Sequence, residues 1–225
     1  MDVQYKRTNL SKRVNALQPC AQRYFQICNW IMMRRLMQKL WKLVYDTYGS
    51  KTGFLRFWYY QCLLKAGVFN QQGDCLHRQP ERPYKRLVFV CVGNICRSPL
   101  AEAYAKSLGV EAASFGLSCT EGFPADPRAI EFGRKVGLDL LSHRTVNVVN
   151  FRIREGDLLI GMEPKHTEKL VSLFRLSIPI TLAGMACRKP IAYIHDPYNC
   201  SKSYFDRCET TVLDAVRGIL DQKAN

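Results

Sequence analysis

The sequence predicts an α/β fold: a three-layer αβα sandwich around a four-stranded parallel sheet, preceded by a helical N-terminal extension. Three observations predict it. From residue 86 onward, short apolar runs alternate with helix-length amphipathic runs, and that alternation builds a parallel sheet covered by helices on both faces. The run RLVFVCV (86–92) is unbroken in its hydrophobicity, as a strand buried on both faces must be. The charge also changes character at this point: residues 1–86 carry 16 Lys/Arg against 4 Asp/Glu, whereas residues 87–225 carry 17 against 15.

The elements follow in order. RLVFVCV is the first strand. SPLAEAYAKSLG reads as a helix, with Ser98 as its cap, Pro99 in its first turn and Gly109 at its end. AASFGLS (112–118) is a short strand, and DPRAIEFGRKVG a helix opened by Asp126 and Pro127. DLLIGM (157–162) is the third strand and EPKHTEKLVSLF the helix after it. PITLAG (179–184) is the fourth strand, and SYFDRCETTVLDAVRGILDQK a long C-terminal helix.

The composition divides the chain into a basic extension and linker, residues 1–84, and an α/β domain, residues 85–225. The first 19 residues are polar and lack an apolar core, so no secretory leader is expected. From Arg23 to Tyr45, Phe25, Met32, Met33, Leu36, Met37, Leu40, Trp41 and Val44 recur at helical spacing. Arg34, Arg35, Lys39 and Lys42 fall mostly on the other face. DTYGSKTG breaks the pattern, FLRFWYYQCLLKAGVF (54–69) is a second apolar segment, and NQQGDCLHRQPERP is a linker. No run reaches the roughly 18 uncharged residues that a bilayer span requires. Two readings of residues 20–70 stay open: packing on each other or on the following domain, or a basic amphipathic hairpin docked on an anionic membrane surface. A nucleic-acid partner is not expected, because no binding motif accompanies the basic residues.

Ten cysteines are scattered without a Cys-x-x-Cys pair or a Cys/His cluster of zinc spacing. Reduced thiols in a cytoplasmic setting are expected, with no metal and no cofactor.

The chemistry concentrates in VFVCVGNICRSPLAE (88–102). In open α/β sheets, ligands sit where the carboxyl ends of strands enter helices. Cys91 stands at such an end. The loop Val92–Gly93–Asn94–Ile95–Cys96–Arg97 can curl so that its backbone N–H groups, together with the helix N-terminus, surround an anion. Gly93 and Asn94 tolerate the positive φ that such a curl tends to require. Arg97 offers a planar fork for two phosphoryl oxygens. Donors that hold a phosphate dianion also favour a thiolate, so nucleophile, anion cup and clamp fit in eight residues. Asp196 follows the fourth strand on the same sheet edge, in an Asp-Pro pair that by itself is a turn signal.

CVGNICRSPLAE resembles the signature of the low-molecular-weight protein tyrosine phosphatases. The similarity continues through SFGL, PADPRAIEFGRKVGLDLLSHR, DLLIGMEPKH and HDPY, over about residues 86–221. The resemblance implies hydrolysis of phosphotyrosine in proteins through a cysteinyl-phosphate, with Cys91 as nucleophile, Arg97 as phosphate clamp and Asp196 as general acid. Val92, Gly93, Asn94, Ile95, Cys96 and Ser98 would surround the phosphoryl group, and Tyr198 would line the cleft. Asn94, Ser98, Ser114 and His143 would form the network that shapes the loop. A phosphotyrosine-containing protein is the implied partner, a bacterial tyrosine kinase being one candidate, at the inner face of the membrane. Two positions depart from the family: Asn199 stands where a second tyrosine is common, and the loop LSCTEGF (117–123) lacks the usual bulky residue unless Phe123 substitutes. Cys96 reads either as a reversible disulfide partner for Cys91 or as a small packing residue. His195 reads either as a group that tunes the acid or as a solvent-facing loop histidine. Two other functions are weighed: a thioredoxin-coupled arsenate reductase on the same fold, with Cys187 and Cys200 as relay thiols, and a non-catalytic protein that binds a membrane or partner. Pro99 and the Asp-Pro-Tyr segment stand against the first, and the intact Cys91, Arg97 and Asp196 against the second.

Overall fold

The computed structural model describes residues 32–67, 84–174 and 178–224. The expected linker 70–83 and the expected helical turns before residue 32 lie outside the described residues. The chain divides into two compact units, Met1–Leu43 and Val44–Asn225. Residues 32–43, the described part of the first, are helical, and this helix, α1, ends at residue 48 in the second. The sequence boundary at 84/85 separates the chain by composition; by contacts the division lies at 43/44. Helix α2 (Lys51–Lys65) therefore belongs with the α/β part, capped by Ser50, whose hydroxyl accepts the Gly53 N–H. Among the described residues no helix is long and apolar enough to cross a membrane.

The α/β part runs β1 (Arg86–Cys91), α3 (Arg97–Ser107), β2 (Ala112–Gly116), α4 (Pro127–Lys135), β3 (Asp157–Gly161), α5 (Pro164–Phe174), β4 (Ile180–Leu182), a 3₁₀ turn (Ala183–Ala186) and α6 (Lys202–Ala224). The four strands form one sheet in the order β2-β1-β3-β4. All pairings are parallel, with Cys91 beside Gly116 and Arg86 beside Asp157. The expected fold class is thus the observed one.

The alternation of side chains along β1 explains the layering. Leu87, Phe89 and Cys91 face one side, joined by Leu158 and Ile160 of β3, Ala101 and Ala105 of α3, and Val212, Ala215, Val216 and Ile219 of α6. Val88 and Val90 face the other, against Phe115, Leu159, Ile180 and Leu170 of α5. All six residues of β1 are buried, which is why the run carries no alternation of polarity. At the amino end of the sheet, Arg86 grips Asp157 through two 2.7 Å bonds, one from Nε and one from Nη2. This buried bidentate pair sets the register of β1 against β3. The opposite, carboxyl edge carries Cys91.

Candidate active site

Cys91, the last residue of β1, is 3% exposed. Its Sγ accepts the Asn94 N–H at 3.2 Å and lies 3.1 Å from Ser98 Oγ. The loop curls as its composition requires. Asn94 has φ +53°, the left-handed region, and no other non-glycine residue among those described has a positive φ. Asn94 is also the hub that fixes the curl. Its Nδ2 donates to Ser98 Oγ at 2.9 Å and to Ser114 Oγ at 2.8 Å, and its Oδ1 accepts the Val146 N–H at 2.9 Å. Its carbonyl lies 2.8 Å from His143 Nε2. Burial lowers the His143 pKa, with the bond to Asn94 opposing that shift, so the ring is neutral and Nε2–H is the donor. Ser114 passes the network on, donating to Glu102 at 2.6 Å.

The expected Ser98 cap is corrected by the structure. Helix α3 begins two residues earlier than a Ser98 cap implies, at Arg97, with Cys96 at the cap position and no side-chain cap bond. Ser98 lies inside the first turn, its hydroxyl turned to Cys91 and Asn94. The N–H groups of that turn are therefore not spent on a cap, and they lie at the mouth of the cup with the positive end of the helix dipole.

Arg97 is 1% exposed. Its Nη1 donates to Glu163 Oε1 at 2.7 Å and to the Ile194 carbonyl at 2.8 Å. Its Nη2 lies 3.0 Å from Asp196 Oδ2. Its Nε, equally buried, has no hydrogen-bond partner, which leaves one buried donor unused. Burial alone would lower the Arg97 pKa, but Asp196, Glu163 and the Cys91 sulfur outweigh it and hold the guanidinium firmly charged. Asp196, with its side chain 40% exposed, is thus on the same sheet edge as Cys91.

A cleft of about 420 Å³ opens beside the loop, lined by Gly93, Ile95, Cys119, Pro124, Phe123 and Tyr198 among others. Phe123 and Tyr198, 57% and 51% exposed, stand on its walls. Val92 is exposed, whereas Cys96 is buried among Leu100, Phe132, Leu140 and Phe205. Burial raises the Cys96 thiol pKa far above its usual value. Cys91 and Cys96 are both free thiols, as are Cys187 and Cys200. Cys187 is buried, its Sγ toward the Thr211 carbonyl of α6. Among the described residues no group of three or more His, Cys, Asp or Glu is gathered to hold a metal ion.

A family model for the low molecular weight phosphotyrosine protein phosphatases matches residues 86–224. The chain belongs to this family. It is 38% identical over 142 residues to the low molecular weight protein-tyrosine-phosphatase Wzb of Escherichia coli K12, covering 60% of this chain and 92% of that one. It is 35% identical over 102 residues to the probable low molecular weight protein-tyrosine-phosphatase EpsP of Ralstonia solanacearum, covering 41% and 70%. Among solved structures, the tyrosine phosphatase AmsI of Erwinia amylovora superposes with a TM-score of 0.58 at 27% identity, over 65% of this chain and 97% of that one. Wzb of E. coli K30, solved with sulphate, superposes with a TM-score of 0.53 at 28% identity, over 62% and 98%. The chain is accordingly a protein tyrosine phosphatase by family, and residues 1–85 lie outside the match.

Sequence reasoning passed over two carboxylates of this phosphatase. Glu163 follows β3 on the same sheet edge as Cys91, and its place after an apolar strand was the available signal. Glu102 is one helical turn from Ser98, a spacing that puts both on one face of α3. Sequence reasoning also left the surroundings of His195 open. The ring is half-buried and bonded on both nitrogens, to Ser50 and to Tyr193, so it is not a solvent-facing loop residue.

Proposed function

We propose that the protein hydrolyses phosphotyrosine in proteins by two displacements at phosphorus. The Cys91 thiolate attacks the phosphorus, and the bond to the tyrosyl oxygen breaks. That oxygen leaves with the proton of the Asp196 carboxyl, and a cysteinyl-phosphate remains. Asp196, now ionised, takes a proton from water as the water oxygen attacks phosphorus. Inorganic phosphate departs and Cys91 returns as thiolate. The loop N–H groups from Val92 to Ser98 and the Arg97 guanidinium carry the charge on the equatorial oxygens. Glu163 and the Ile194 carbonyl hold Arg97 from behind. Asn94, Ser98, Ser114 and His143 keep the loop curled, and the walls Tyr198 and Phe123 take the aryl ring.

The observation that carries this reading is the convergence on one sheet edge of the Cys91 sulfur, bonded to Asn94 N–H and Ser98, and of Asp196, 3.0 Å from Arg97. Turnover of a phosphotyrosyl peptide by wild type, Cys91→Ser and Asp196→Asn tests it. Near-total loss is expected for the first variant and a loss of roughly 10²–10⁴-fold for the second. Full activity in Cys91→Ser would defeat the reading.

The substrate class is a phosphotyrosyl protein, with a bacterial tyrosine kinase as one candidate by analogy of family. An anionic membrane face is the proposed partner of α1. That helix exposes Met32, Met33, Leu36, Met37, Leu40 and Leu43 beside Arg35, Lys39 and Lys42, the pairing of apolar and basic groups that binds anionic lipid surfaces. The full chain should sediment with phosphatidylserine-containing vesicles and less with pure phosphatidylcholine. A variant with Arg35, Lys39 and Lys42 changed to Glu should lose the difference; equal binding by both chains would sink the membrane assignment.

A further inference from the structure

The family match begins at residue 86, yet the compact α/β unit begins at Val44. The segment between, the end of α1 and the whole of α2, packs on the stretch that carries the proposed general acid. Ser50 Oγ lies 3.0 Å from His195 Nε2, and Tyr193 OH lies 2.7 Å from His195 Nδ1. Tyr60 of α2 stacks on Tyr193 with ring centroids 5.5 Å apart, and Gln61 Nε2 donates to the Pro190 carbonyl at 3.0 Å. On the far side of the acid, Ser201 Oγ donates to Asp46 at 3.1 Å. The contacts bracket residues 190–201 at both ends, with Asp196 near the centre.

Burial lowers the His195 pKa, so the ring is neutral, with one nitrogen a donor and the other an acceptor. It is held between Tyr193 OH and Ser50 Oγ. The same oxygen accepts the Gly53 N–H at 2.8 Å, which ties the histidine to the first turn of α2. Gly53 permits this approach: a Cβ there would fall 2.7 Å from the His195 ring and 2.1 Å from the Tyr48 carbonyl.

The opposite flank of the acid loop is held by the α/β domain itself. Arg128 of α4 donates to the carbonyls of Tyr198 and Cys200. The loop thus has one support from α4 and a second from α2.

We propose that residues 44–65 form a positioning element for catalysis, and that Ser50 is its principal positioning residue, acting on the Asp196 carboxyl through His195. The proposal rests on the reading of Asp196 as general acid. A carboxyl that must deliver a proton to a departing oxygen works only from hydrogen-bond range, and a displacement of about 1 Å can cost on the order of 10²-fold. Asp196 is half-exposed, and Tyr198 and Asn199 just beyond it are exposed, so its placement depends on what grips the residues around it. Ser50 and Gly53 lie outside the cup, and substituting them leaves Cys91, Arg97 and the loop N–H groups in place.

The test is leaving-group selectivity in the full-length chain. For wild type, Ser50→Ala, Ser50→Thr, Gly53→Ala and Asp196→Asn, kcat/KM is measured on p-nitrophenyl phosphate, whose phenolate leaves with little protonation, and on phenyl phosphate, whose phenolate needs the proton. Ser50→Ala and Gly53→Ala are expected to lower kcat/KM on phenyl phosphate by about ten-fold, a fraction of the full general-acid effect, while p-nitrophenyl phosphate changes by less than about three-fold. Asp196→Asn should show the same selectivity on a larger scale, and Ser50→Thr, which keeps the hydroxyl, should restore the wild-type ratio. Loss of the α2 cap by itself lowers stability, and that would depress both substrates alike. An unchanged ratio in both Ser50→Ala and Gly53→Ala, or an equal fall on both substrates, would overturn the proposal while leaving the phosphatase reading intact. Absence of any Cys91-dependent turnover in wild type would instead defeat the reading on which it rests.

Discussion

The Asp196 carboxylate lies 3.0 Å from Nη2 of Arg97, so the proposed proton donor and the proposed phosphate clamp are ion-paired across the mouth of the cup. An oxyanion entering that cup meets the negative charge of Asp196 at close range. Asp196→Asn should therefore bind inorganic phosphate more tightly while turning over more slowly. The inhibition constant for phosphate is expected to fall about ten-fold, corresponding to about 1.4 kcal/mol of removed repulsion at a half-exposed site. Competitive inhibition at fixed pH reads this directly, and an unchanged or weaker constant would contradict it.

Glu163 holds Nη1 of Arg97 at 2.7 Å with both side chains almost wholly buried. Glu163→Gln leaves a buried guanidinium short of one countercharge. The expected loss of stability is roughly 3 kcal/mol, the low end for breaking a buried pair, because Asp196 and the Ile194 carbonyl remain. Urea denaturation checks it. The clamp also loses its rear anchor, so kcat/KM should fall together with the stability.

Asn94 combines a left-handed backbone with four polar contacts of its side chain and carbonyl. Asn94→Ala loses the side-chain bonds and pays the left-handed cost, whereas Asn94→Gly loses only the bonds. The glycine variant should be the more stable of the two by about 1 kcal/mol. Both should lose most activity, because Ser98 is no longer held against Cys91. Equal stability of the two variants would show that φ at this position is not under constraint.

Glu209 is fully buried in α6, and neither of its carboxylate oxygens has a hydrogen-bond partner. Burial pushes its pKa up from near 4.5 to about 8. The native state then holds a proton that the unfolded state releases, so stability is greatest at low pH in this window and falls as pH rises from about 4.5 to about 8, at up to about 1.4 kcal/mol per pH unit. Glu209→Gln cannot ionise. Its stability advantage over wild type should grow between pH values of about 5 and about 8, measured by urea midpoints. A constant difference would contradict the assignment.

The sheet and its helices were legible because the strands are short apolar runs and because Asp126 and Gly109 punctuate their helices where expected. The cup was legible because Cys91, Gly93, Asn94 and Arg97 are all local to one strand–loop–helix step. Ser98 was misplaced as a cap because its hydroxyl has a better partner in the cup, and propensity alone does not weigh that competition. Glu163 and Glu102 went unseen because each acts through a residue distant in the chain, Arg97 and Ser114. The grip of Ser50 on His195 spans 145 residues. It was invisible because α2 reads as one more amphipathic segment, whose destination no spacing rule supplies.

The proposed reaction passes through a covalent bond between phosphorus and the Cys91 sulfur. Wild type mixed briefly with a phosphotyrosyl peptide and quenched in acid should yield a phosphorylated fragment containing Cys91, and Cys91→Ser should yield neither that fragment nor tyrosine release. Steady release of phosphate by Cys91→Ser, or a phosphoryl group found on any other residue, would contradict it.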